Sequence, residues 1–144
     1  MKALLCAKIF ILISFAFGAF GSGKWDLDTI HGFHFHSYFF QRNENSTRTA
    51  LLLKQEVEKL IREVPRGPHP IGSFMTCCNA TSAKKSLDFF MKNRRSLSVL
   101  IHPLTRYEVL DHSERAAWIG QSLPLDLTAL SEHLEHEPTC ELDS

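Results

Sequence analysis

The chain has no excess of either charge: sixteen lysines and arginines meet sixteen aspartates and glutamates, for a formal net charge of +0. A balanced surface gives no broad basic face, which argues against nucleic acid or an anionic membrane as a partner. Long apolar runs are also missing. The run from Ile9 to Phe17 falls short of the ~20 residues needed to cross a bilayer, so no stable membrane insertion is expected. Phosphate-cradling glycine loops, dinucleotide fingerprints, GxSxG and HExxH are absent, as are internal repeats and low-complexity tracts. At 144 residues the chain suits one domain with one modest core.

Against these absences, eight histidines are the compositional oddity. The opening residues place Lys2 and Lys8 ahead of the apolar run, with small residues near Gly18 to Ser22, a pattern that reads as a secretory signal peptide over residues 1–21. A secreted, glycosylated product follows as the expectation, with sequons at Asn45 and Asn79. Cleavage leaves Cys77, Cys78 and Cys140, an odd number. Adjacent Cys77 and Cys78 on a strand point to opposite faces, which disfavours a bond between them; Cys140 could reach either, and buried apolar thiols are an equal alternative. With one thiol unmatched, a covalent dimer through Cys140 is a further reading.

In GFHFHSYFF, Phe33, Phe35 and Phe39 fall on one face of a strand, and His34, His36 and Tyr38 on the other. The first face should pack on helices and the second lie open. Apolar positions from Ala50 to Val64 recur at helical spacing and predict an amphipathic helix over Thr47 to Val64. Pro65, Gly67, Pro68 and Pro70 break the chain around His69 and lead to a strand over Ile71 to Cys78. A helix capped by Thr81 or Ser82 follows, with Leu87, Phe90 and Met91 as its apolar stripe. Leu97 to Ile101 reads as a buried strand stopped by His102-Pro103, and Tyr107 to Leu110 as a short strand. Asp111 with Glu114 resembles a capping box for a helix that carries Trp118 and stops at Gly120, while Asp126 can cap a last helix to His133. The domain should span residues 28–134, with a fraying tail over 135–144. This mix of elements is α+β, a sheet with helices on one face.

Two imidazoles in HxH on one strand face are neighbours close enough to share an ion with bonds of ~2.0–2.1 Å. His69, held between prolines, and His102 could supply further donors, although linear spacing does not prove convergence. Histidines hydrogen-bonded to backbone in a core are the commoner arrangement. His112 beside Asp111 reads as a solvent-facing residue of a first helical turn, and Glu108 is ambiguous. A cysteine nucleophile lacks a local signature.

The ordered segments FHFHSYF, GPHPIGSF, LSVLIHPLT and DHSERAAWIGQSLPLDLTAL resemble the DOPA 4,5-dioxygenase family of small extradiol-type proteins, from about His31 to Leu130. The resemblance implies a ferredoxin-like βαββαβ sandwich, often a homodimer. It also implies ring opening of a small catechol such as DOPA by O2 at a histidine-bound metal, Fe2+ first and Zn2+ as alternative. Carried over by position, it implies His36, His69 and His102 as ligands, His34 as alternative ligand or acid/base, and His112 as a proton-transfer residue. Tyr38 and Trp118 are then the candidates to flank the aromatic ring. The family's second strand has almost no room here, because IREVPRGPHP runs nearly straight from helix to loop. That strand should be missing or shortened, and a non-catalytic secreted domain on the same scaffold is the competing function.

Overall fold

The computed structural model describes residues 28–57, 61–62 and 68–140. The stretch expected to be a secretory leader, with its expected cleavage site, lies outside the described residues. Strand β1 (Gly32–Phe39) is followed by α1 (Glu44–Val57), β2 (Ile61–Arg62), β3 (Gly72–Cys78), α2 (Ala83–Asn93) and β4 (Ser98–Leu104). The short helix α3 (Glu108–His112) and strand β5 (Ala117–Ile119) complete the sheet side, and a 3-10 turn covers Leu127–Ala129. The sheet has five strands in the order β2-β3-β1-β4-β5. Its first four strands, every neighbouring pair antiparallel, have the ferredoxin-like order, and β5 adds an edge beside β4.

Alternation along β1 works as the sequence implies on the core side. Phe35 and Phe39 pack with Ala50, Leu53, Phe74, Phe90 and Val99 in one buried cluster, and the rings of Phe35 and Phe90 stack at 5.1 Å. Burying such side chains contributes ~1.5–3 kcal/mol each, before chain entropy is subtracted. The stripe on α2 is narrower than its sequence implies: Phe90 is buried, but Leu87 and Met91 are exposed, and Phe89 packs on the cluster instead.

Several local expectations give way to tertiary pairing. The first helix ends at Val57 rather than Val64, and Ile61–Arg62 pair with β3 at Phe74 and Ser73. The second strand is therefore present at two residues. Strand β4 continues through Pro103 to Leu104, because β5 pairs only with Val99 to Ile101 and leaves Pro103 with a neighbour on one side. Tyr107 to Leu110 enters a helix, not a strand, and Trp118 lies in β5, not on a helix. Asp111 is no N-cap: it is buried near the end of α3, where it accepts from Thr105 N at 2.7 Å, from Thr105 Oγ1 and from Arg115 Nη1. The chain turns after β5 at Gly120, whose φ of 93° brings the Arg94 guanidinium within 2.9 Å of where a Cβ would stand. Asp126 caps one turn of 3-10 helix, accepting from Thr128 N, and no longer helix follows.

The two adjacent cysteines separate as strand alternation requires. Cys78 is a buried thiol in the core cluster, while Cys77 is joined to Cys140 in a disulfide. Cys140 is thus used within the chain, which removes the basis for a covalent dimer through it. The tail expected to fray is held as far as Cys140: Leu134 N donates to Arg106 O, Arg106 donates to the carbonyls of Leu134 and Glu135, and the disulfide closes the end. Among the described residues no helix is long and apolar enough to cross a membrane.

Candidate metal centre

The histidine side of β1 is built by register. β1 lies between β3 and β4, so His34 stands opposite both Cys77 and His102, and His36 opposite Met75 and Leu100. Residues directly opposite have Cβ atoms about 4.5–5.5 Å apart. His34 and His102 therefore meet, with ring centroids at 5.1 Å. His36 Nε2 lies 3.1 Å from His102 Nε2.

This face does not lie open as alternation alone implies. Pro68 to Pro70, α3 and β5 cover it, leaving His36 5% and Tyr38 2% exposed. His69 is buried and sits 4.1 Å from His36 between ring centroids. His112, far from being a solvent-facing helix residue, packs tilted against His102 with ring centroids 3.8 Å apart. Asp126 N donates to Pro68 O, which fastens the late segment carrying Ala129 and Leu130 to the His69 loop. On this side lies a partly open cavity of about 240 Å³ lined by His34, His36, His69, His112, Glu108 and Met75 among others.

Hydrogen bonds fix how two rings present themselves. His102 Nδ1–H donates to Pro103 O at 2.8 Å, and His112 Nδ1–H donates to Glu108 O at 2.9 Å. Both rings then carry a bare Nε2 lone pair, the arrangement by which backbone carbonyls orient metal-binding histidines. His69 Nδ1 shares a hydrogen bond of 2.6 Å with Tyr38 OH. Burial, reinforced by the neighbouring imidazoles, holds His36 and His102 well below the ordinary histidine pKa, and burial lowers that of His112. Burial also raises that of the Tyr38 phenol. At neutral pH His36, His102 and His112 are therefore uncharged donors, as a divalent cation requires.

Ligand atoms fall within 4.8 Å of one another in two sets, His34 with His36 and His102, and His36 with His69 and His112. The set His36, His69 and His102 is divided between them, with His36 common to both. Two metal–nitrogen bonds of ~2.0–2.1 Å meeting near 90–110° span about 2.8–3.4 Å, so the His36–His102 separation, a hydrogen-bond distance between the bare rings, also suits two ligands to one ion. The donors fit a metal that favours imidazole.

Tyr38 and Trp118 pack on each other at 5.3 Å, and neither lines the histidine cavity; Tyr38 borders a separate polar cleft near Asn45 and Arg94. Asn45 and Asn79 are both exposed, on α1 and just after β3. Glu108 and Asp111 are the residues whose importance the sequence conceals. The four-residue spacing of Glu108 and His112 would have exposed the first, had Tyr107 to Leu110 been read as helix rather than strand.

A solved structure of a candidate dioxygenase from Nostoc punctiforme superposes with a TM-score of 0.62 at 29% identity, covering 69% of this chain and 90% of that one. The DOPA 4,5-dioxygenase of Amanita muscaria is 38% identical over 70% of this chain and 50% of its own length. An uncharacterized 21.2 kDa protein of Botryotinia fuckeliana is 32% identical over 67% of this chain and 61% of its own. The chain thus spans about half to three fifths of the length of these fungal relatives. The model of the Dopa 4,5-dioxygenase family matches residues 33–129, which include His34, His36, His69, His102 and His112, and the chain belongs to that family.

Proposed function

We propose that this chain is a secreted metal-dependent dioxygenase that opens the ring of DOPA or a related catechol with O2. The observation that carries the proposal is the 3.1 Å approach of His36 Nε2 to His102 Nε2 with His34 in the same set. These three residues would hold the ion, ferrous iron in preference to zinc because the reaction uses O2. His69, implied as a ligand by resemblance, falls in the second set with His36 and His112. When bound, the ion supplies a centre where both catechol oxygens and O2 are brought together.

The chain's own residues do the rest. His36 and His102 are kept neutral by burial, so their lone pairs are available at physiological pH. His112 Nε2 is left free by the bond from Nδ1–H to Glu108 O and can accept a catechol proton. Tyr38 fixes the ring plane of His69 on the other side. Pro68, Met75, Ala129 and Leu130 keep the cavity apolar around a ring. Secretion is supported by the leader pattern and by the Cys77–Cys140 disulfide, which suits an oxidising compartment.

The test is to purify the secreted chain, supply ferrous iron and DOPA under oxygen, and measure iron content, oxygen uptake and the yellow ring-opened product. Stoichiometric iron with product formation is expected; absence of both overturns the proposal. A second reading, a non-catalytic ligand-binding domain, draws on the two-residue β2. It requires iron or catechol binding without oxygen uptake.

A further inference from the structure

The lining of the histidine cavity has one acidic residue, Glu108, and no lysine or arginine among the described residues. The two guanidiniums that flank α3 in sequence are directed elsewhere. Arg106 donates to the carbonyls of Leu134 and Glu135, and Arg115 donates to Thr105, Asp111 and Asp28. An anionic arm on a bound ring would meet no cation in this lining. A cationic arm would meet a carboxylate.

Glu108 is also a fixed point rather than a loose surface side chain. Its main-chain carbonyl accepts from His112 Nδ1–H, and its Oε2 accepts from Ser131 N at 3.0 Å. The residue is therefore tied through its carbonyl to the histidine wall and through its carboxylate to the late segment that carries Ala129 and Leu130 into the cavity. One ring nitrogen of His112 and one carboxylate oxygen are thus set by the same residue. At about 240 Å³ the cavity has room for a single ring and a short arm, smaller than the usual ~300–1,000 Å³ of sites for larger ligands.

We infer that Glu108 is a specificity-determining residue whose carboxylate takes the ammonium group of a catechol's side arm, so that the site favours catechols with a cationic arm over those with an anionic one. The inference rests on the ring-opening reading above and names the substrate class of that same site. The hydrogen bond to a charged amine strengthens binding without changing the ring chemistry. Glu108→Gln keeps the main-chain carbonyl that orients His112, and its amide oxygen can still accept from Ser131 N, so the variant removes the charge alone.

The experiment is anaerobic calorimetry on the iron-loaded full chain with three probes that share the ring: dopamine, 3,4-dihydroxyphenylacetate and neutral 4-ethylcatechol. Dopamine is expected to bind on the order of tenfold more tightly than 4-ethylcatechol, with 3,4-dihydroxyphenylacetate the weakest. In E108Q the dopamine advantage is expected to collapse while 4-ethylcatechol is unchanged. Equal binding of the three probes by the wild-type chain overturns the inference, and does so even if E108Q fails to fold. A dopamine advantage that E108Q retains overturns it equally. Binding of none of the probes by iron-loaded protein overturns the ring-opening reading and the inference together, which separates that outcome from loss of discrimination alone.

Discussion

Tyr38 OH and His69 Nδ1 lie 2.6 Å apart in a buried hydrogen bond that joins the middle of the sheet to the proline-flanked loop. The two residues stand far apart in sequence, and the bond is what turns a loop histidine into a fixed wall of the site. Trp118 backs the Tyr38 ring at 5.3 Å, so the phenol has little freedom to leave its partner.

Tyr38→Phe removes that bond and leaves His69 Nδ1 buried beside a hydrocarbon. A loss of stability of ~1–3 kcal/mol is expected from the unsatisfied ring nitrogen. Catechol turnover should fall about 10–100-fold, the usual cost of losing a group that orients a site histidine. Chemical denaturation of the metal-free protein and steady-state oxygen uptake measure the two effects separately.

The two histidine sets make different demands on variants. His36→Ala, His102→Ala and His34→Ala should each cost at least tenfold in iron affinity, because each removes a proposed ligand. His112→Ala should keep iron within about tenfold while turnover drops ~10²–10⁴-fold, as expected for a lost proton acceptor. Iron titration of the four variants decides the matter. If His112→Ala empties the site and His34→Ala does not, the ion belongs with His69 and His112.

Acid should destabilise the metal-free protein. His36, His102 and His112 have pKa values lowered in the folded state by burial, so below the unfolded value of about 6.5 the unfolded chain binds more protons than the folded one. Stability is thus full above about pH 6.5 and is lost as pH falls toward the lowered folded values, by up to ~1.4 kcal/mol per pH unit for each group. Urea midpoints from pH 7.5 to 5 test this. A flat profile, or greater stability in acid, would contradict the neutral cluster.

The Cys77–Cys140 link closes a loop with a sequence separation of 63. Chain-entropy arguments put its contribution at about 4 kcal/mol, an upper figure for Cys140→Ser. Under oxidising conditions Cys140→Ser should unfold at lower urea and exchange the amides of residues 134–140 faster. The wild-type chain should run as a monomer-sized band on a non-reducing gel. A reductant-sensitive dimer would show that Cys140 bonds between chains instead.

Asp111→Asn tests the joint behind the site. The carboxylate is 2% exposed and accepts from Thr105 N, Thr105 Oγ1 and Arg115 Nη1. Removing one charge of this buried arrangement should cost about 3–5 kcal/mol. Thermal unfolding gives the cost, and His112, the next residue, should lose its ring contact with His102 in the same variant.

The sequence by itself determined the two faces of β1, because side-chain alternation in a strand is local: Phe35 and Phe39 face the core, His34, His36 and Tyr38 the other side. It determined the opposite directions of Cys77 and Cys78 for the same reason, and the ordered segments that carry family membership. It misjudged the stretch from Tyr107 to Gly120, where the assignments of strand and helix are reversed. That stretch is short, and short segments take their form from what they pair with: β5 exists because β4 offers an edge at Val99 to Ile101. The first helix was overextended for a related reason, since Ile61 suits both a helix face and a strand beside Phe74.

Only the tertiary structure decided that the histidines meet. His36 and His102 are separated by 66 positions, and no spacing rule brings them to 3.1 Å; strand order and register do. The same register sets Cys77 beside His34, and the covering of that face by α3 and the His69 loop keeps His36 and His102 buried and neutral. Alternation aims a side chain, whereas burial and convergence depend on which distant segments pack over it.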